Sequence, residues 1–172
     1  MEELNSELIG ILQAPEVHAV FAQVNPACAD YLSQAWDAKA YEQAAVDYCE
    51  LFILPKGISP MAGAWYDKGA GAEAASIKIQ QAVGMLRSSV DLALPQPFQQ
   101  TPAEHAGVLL FICGRLFAAD DQEIQGRGLP FFHVTTSTWL QAFSKALSGN
   151  RVSPFYQAVG TLVENTRLAL EA

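Results

Sequence analysis

Glu104-His105 is the pair of side chains best suited to chemistry, a carboxylate and an imidazole side by side at the entrance to the most apolar segment of the chain, residues 108–117. A histidine with a neighbouring acid suggests a general base. Successive helical residues point about 100° apart, however, so adjacency does not make a dyad. No nucleophile accompanies them. The serines lie in no G-x-S-x-G context, and Gly69-Ala70-Gly71 lacks the Lys-Ser/Thr of a phosphate loop. A small hydrolase using His105 is therefore the weakest functional reading, and the chain is expected not to be an enzyme. His18, His105 and His133 are far apart and pair with no cysteine at ligand spacing, so neither a metal nor a cofactor is expected. The pair reads as structure or binding. Glu104 completes a capping box with Thr101, Pro102 takes the first helical position, and His105 bonds a backbone carbonyl.

A second set of candidates is aromatic and acidic. Trp65-Tyr66 lies in a loop with Gly57, Pro60, Gly63 and Gly69, where large apolar side chains either pack on the core or meet a ligand. Phe131-Phe132 and Trp139, at helical spacing, read as core. Asp67, Glu104, Asp120, Asp121 and Glu123 fall in or beside the two irregular segments or the helix they flank. Converged in space, they would make an acidic rim beside an apolar groove that includes Leu109. Such a surface fits a peptide with arginines followed by an apolar stretch, because carboxylates take guanidinium groups bidentately.

The elements that position these residues are helices. Strand alternation is almost absent, and the fold class is all-α, one domain built from amphipathic faces around one core. Asn5 caps a short helix carrying Leu8, Ile9 and Leu12. Pro15 opens a second, and Asn25-Pro26 a third running through Trp36. Asp37 caps a fourth that carries Tyr41, Ala45, Tyr48, Leu51 and Phe52. Residues 53–71 are irregular. A fifth helix spans 72–88, and residues 95–100 form a second irregular connection. The sixth helix covers 102–118, and the seventh covers 129–147. Ser153-Pro154 starts the last.

Bulk properties narrow the function. Of 172 residues, 51% are hydrophobic and 16% charged, which excludes a disordered chain. Eighteen acidic against ten basic side chains give a net charge of −8, unsuited to nucleic acid or an anionic membrane and better suited to a basic partner. No segment is apolar for long enough to cross a bilayer, so no stable membrane insertion is expected. The acidic start Met1-Glu2-Glu3 is not a secretory leader, and Cys28, Cys49 and Cys113 read as buried thiols of a reducing compartment. The expected location is the cytoplasm.

Ordered blocks carry a family resemblance. They are Tyr48-Cys49-Glu50-Leu51-Phe52 with a proline after it, Ile58-Ser59-Pro60, Gly63-Ala64-Trp65-Tyr66, and Thr101-Pro102-Ala103-Glu104-His105 with the Gly and Leu-Leu that follow. Trp139-Leu140-x-x-Phe143, Pro154-Phe155-Tyr156 and Gly160-x-Leu162 complete the series. Together these blocks, over about residues 41–172, resemble the TorD/DmsD family of cytoplasmic chaperones that assist maturation of molybdenum-containing redox enzymes. The resemblance implies an all-helical fold, no catalysis, and binding of the twin-arginine signal peptide, or another part, of a molybdoenzyme precursor. It associates binding with the loop at 58–66 and the signature at 102–105. A module of the same fold that binds a folded redox-enzyme subunit is the alternative. Three features depart from the family: Glu104 where it usually has Asp, Lys56 and Ala62 where relatives often carry aromatic or acidic residues, and a short N-terminal region without the usual first long helix. The core surface left by that shortfall, and the family's habit of exchanging segments between protomers, make a homodimer by segment exchange an expectation.

Overall fold

Helix starts in the first third of the chain follow from local side-chain chemistry. The structure, a computed structural model, describes residues 4–66, 69–90 and 92–172. Asn5 Oδ1 accepts from the Leu8 amide and opens α1, Ser6–Leu12. Proline stands first in α2, Pro15–Val24, and in α3, Pro26–Ser33, where Asn25 caps the Ala27 amide. Asp37 caps α4, Ala38–Tyr48. Each capping side chain satisfies an amide that the first helical turn leaves unpaired, and proline at the first position has no amide to satisfy. Two expectations are corrected here. Trp36 lies beyond the end of α3, and Leu51 and Phe52 lie in a π turn, Cys49–Ile53, rather than in α4. In that turn the Leu54 amide reaches back five residues to the Cys49 carbonyl, at 3.0 Å.

The remaining helices are α5, Ala70–Ser89; α6, Gln96–Gln99; α7, Ala106–Phe117; α8, Gln122–Gln125; α9, Gly128–Thr135; α10, Ser137–Ser148; and α11, Pro154–Glu171. The all-α class is borne out. Among the described residues there is no β-strand, only an isolated antiparallel bridge between Met61 and His105. Also among the described residues, no helix is long and apolar enough to cross a membrane. Residues 95–100, read as irregular, contain the short α6. The single helix expected over 129–147 is two. Thr135 and Thr136 turn their hydroxyls onto the Phe131 and Phe132 carbonyls, and the backbone leaves helical geometry at Thr136. Such side-chain bonds compete with the helix itself.

The chain divides into two compact units. One is Ser59–Gln141. Its core is the inner face of α7, where Val108, Leu109, Ile112 and Leu116 are fully buried, with Ile79 and Val83 of α5, Phe132 of α9, and Trp139. Gly128 lets α9 approach the Phe117 ring, since a Cβ there would stand 2.8 Å from it.

The other unit is Glu2–Ile58 with Ala142–Ala172. There α11 packs on α2 and α3, and Phe21 meets Phe155 with ring centroids 5.6 Å apart. Tyr48, Phe52 and Tyr156 continue the aromatic contacts at 5.3 and 5.0 Å. At Gly160 a Cβ would fall 2.4 Å from the Ser148 amide nitrogen, so only glycine allows α10 and α11 to touch there. Ser153 precedes α11 without a side-chain capping bond. Asn150 Oδ1 takes the Val152 and Ser153 amides instead.

Candidate functional site

Two stretches forty residues apart in sequence meet in the Ser59–Gln141 unit. The Ala62 amide donates to the Glu104 carbonyl at 3.0 Å, and the Ala106 amide donates to the Pro60 carbonyl at 2.8 Å. These bonds form the Met61–His105 bridge. They also explain where α7 begins. Residues 102–105 close a turn, with the His105 amide on the Pro102 carbonyl, and the bridge holds His105 extended. The helix expected from 102 therefore starts at Ala106, and the capping box of Thr101 and Glu104 does not form. His105 is the cap. Its Nδ1 accepts the Gly107 amide at 3.1 Å, which places the ring proton on Nε2. Burial lowers the imidazole to about 4, so it is neutral at physiological pH.

Glu104 is left free for something else. Its side chain turns toward Gly63, where a Cβ would stand 3.1 Å from Oε2. That oxygen is buried and accepts no hydrogen bond from the described residues. A buried acceptor without a partner costs about 1–3 kcal/mol relative to a satisfied one. Gly63 lies at the start of a 3₁₀ turn, Ala62–Trp65, that ends on the half-buried Trp65. The Trp65 indole N–H closes the loop by donating to the Ser59 carbonyl at 2.9 Å. Tyr66 is half-buried, and burial raises its phenol above the ordinary value. Phe98 of α6 lies against Gly107 and meets Phe111 in a tilted ring contact, centroids 5.5 Å apart, which adds an apolar flank beside the start of α7.

The expected site residues thus separate. Trp65, Tyr66, Glu104 and His105 belong to the bridged pair of segments, and the exposed Pro102 opens its turn. Asp67 lies outside the described residues. Leu109 is a core residue with 0% exposure, so it lines no groove. Asp120 and Asp121 do not join Glu104. The twelve residues of α7 set them apart by about 18 Å, at 1.5 Å of rise each. Asp121 instead caps α8 through the Glu123 and Ile124 amides, and Asp120 lines a groove of about 290 Å³ with Arg115. Among the described residues, Glu104 is therefore the one carboxylate of the expected rim that lies at the bridged segments. A roomier groove of about 390 Å³ lies between α5 and α9 and contains none of these residues.

Gly63, Phe98 and Phe111 were not among the expected site residues. Phe98 sits between prolines in an irregular run, the same signal that marked Trp65. Cys49 is exposed, against its expected burial, whereas Cys28 and Cys113 are buried. Among the described residues no group of three or more His, Cys, Asp or Glu is placed to hold a metal ion. The chain matches no family model, no curated protein and no solved structure.

Proposed function

We propose that this protein is a cytoplasmic chaperone for maturation of a molybdenum-containing redox enzyme, and that it binds the twin-arginine signal peptide of the precursor before export. One observation carries the reading. The two blocks that the resemblance associates with binding, 58–66 and 102–105, are brought together by the Met61–His105 bridge, with the Glu104 carboxylate against Gly63. An arginine arriving there would give Oε2 the donor it lacks, and a guanidinium–carboxylate bond is charge-assisted. Trp65, Phe98 and Phe111 would take the apolar residues that follow. The net charge of −8 would favour approach of the basic end. Two backbone bonds join the 60–62 strip to 104–106, so a small shift of the loop would open Oε2 to the ligand.

Calorimetric titration with twin-arginine signal peptides from several molybdoenzyme precursors, at low and moderate salt, tests this. Binding to one peptide in the micromolar range or tighter is expected, weakening with salt as exposed charge is screened over about 8 Å at physiological ionic strength. Glu104→Gln should cost about tenfold in affinity, the worth of a hydrogen bond to a charged group. Silence with every signal peptide, alongside binding of a precursor lacking its signal, would transfer the function to recognition of a folded subunit.

A further inference from the structure

The segment formed by α4 and the π turn after it has two apolar sides. Ala44, Leu51 and the half-buried Tyr48 face the interior of their own unit. On the other side Glu42, Ala45, Val46, Cys49 and Glu50 stand at i, i+3, i+4, i+7 and i+8, one helical face, and Leu54 closes the end beyond the π turn. They line an open groove of about 330 Å³. Val46 is 51% exposed and Leu54 54%, and the neighbouring Ile53 is 63% exposed. Single exposed apolar residues need no explanation, but a contiguous strip along about three turns does. The π turn contributes to it. The extra residue rotates the chain so that Leu51 and Phe52 still reach the core while Ile53 and Leu54 turn outward.

We infer that this groove is a docking site for an amphipathic helix of a partner protein, one whose apolar stripe is flanked by lysines or arginines. The charge of the lining decides between occupants. Two carboxylates, Glu42 and Glu50, border the groove, and no cation lines it. Lys56 stands beyond Leu54 in the adjoining groove. A second copy of the chain docked by two-fold symmetry would bring these carboxylates against their own equivalents, which like-charge repulsion opposes. A cationic partner meets them favourably, in the field of a protein of net charge −8. An intact helix exposes no backbone edge for strand addition, so recognition here runs through side chains, as in helix-in-groove binding. This groove lies in a different unit from the Met61–His105 bridge, Trp65 and Glu104, and it stands whether or not those residues bind a signal peptide.

The groove holds its own reporter. Cys49 lines it and is exposed, whereas burial pushes the Cys28 and Cys113 thiols up to about 11 and 12. Maleimide alkylation, located on Cys49 by mass spectrometry, should be slowed saturably by a synthetic helical peptide with a leucine stripe flanked by lysines. The same peptide with glutamates for lysines should give no protection. The double variant E42K/E50K, at exposed positions and checked for unchanged circular dichroism, should weaken the lysine peptide by about tenfold or more and admit the glutamate peptide. No protection by the lysine peptide, or equal protection by both peptides, would overturn the inference. So would protection that grows with the concentration of the protein alone, since the face would then belong to a second copy.

Discussion

Glu164, on α11, has its acceptor positions filled. Arg167 reaches it with Nε and Nη2 at 2.9 and 2.8 Å, Ser144 of α10 donates its hydroxyl at 2.8 Å, and Glu171 holds the other side of the guanidinium. Glu104, in the turn before α7, is also partly withdrawn from water, yet its Oε2 has no donor among the described residues. The first arrangement ties two helices together and has nothing left to offer a ligand. The second stores an unsatisfied acceptor in a loop held by two backbone bonds. Glu164 is completed from within the chain, whereas Glu104 keeps an acceptor that a ligand could complete. That contrast is the physical ground for proposing a binding site at Glu104 rather than at the larger charge cluster.

The largest effect expected from breaking the contrast is at Arg167. The residue is 6% exposed, and truncating it leaves Glu164 and Glu171 facing each other without a cation. Arg167→Met should cost about 3 kcal/mol of stability, the low end for removing one partner of a buried pair, because both carboxylates keep partial access to water. Urea denaturation would measure it. A loss below about 1 kcal/mol would make the cluster an ordinary surface network and remove the contrast.

Acid should then separate the two regions along the pH axis. Hydrogen bonds from Arg167 hold the Glu164 carboxyl down at about 2, against an ordinary 4.5. Its stabilisation is whole above 4.5 and is lost as pH falls through about 2, because the unfolded chain takes up its proton first. His105 behaves differently. Burial lowers it from 6.5 to about 4, so between those values the unfolded chain binds a proton that the folded chain refuses. Stability therefore declines as pH falls from 6.5 to about 4, and this contribution is flat below. His105→Asn keeps an acceptor for the Gly107 amide and removes the titration. Denaturation midpoints at stepped pH should show the upper decline reduced in His105→Asn alone, and the lower one reduced in Arg167→Met alone. Parallel curves for the wild type and His105→Asn above pH 4.5 would refute the neutral, buried state of His105.

What could be read in the sequence follows the range of the interactions. Asn5, Pro15, Asn25-Pro26 and Asp37 start their helices where expected, since a cap needs only the next three residues. Thr101-Pro102-Ala103-Glu104 has the same local qualifications and starts nothing. Pairing with residues 60–62 takes the backbone that another helical turn would have used, and no local signal announces a partner forty residues away. Asp120 and Asp121 were grouped with Glu104 because they flank the same apolar helix. Flanking a helix of twelve residues puts groups at opposite ends, and only a bend or a second element could reunite them. Glu42 and Glu50 were missed for a related reason. One apolar stripe on α4 accounts for its burial, and the second becomes visible only when nothing covers it.

Glu104→Gln should have the smallest effect on the fold and is the most informative variant for the comparison. If Oε2 lacks a donor in the free protein, neutralising the carboxylate removes a desolvation cost and forfeits no bond. The change in stability should then lie within about 0.5 kcal/mol of zero, or be a gain, as happens when a group kept for function is replaced. The same substitution should weaken signal-peptide binding by about tenfold, since the arginine loses its charged acceptor. A loss of more than about 1 kcal/mol would mean that Glu104 has a structural partner after all, and the distinction between it and Glu164 would collapse. Preserved stability with preserved peptide affinity would leave the carboxylate idle in both roles and shift recognition to the Trp65 and Phe98 surface. Only the combination of an undisturbed fold and weakened binding fits a carboxylate completed by a ligand.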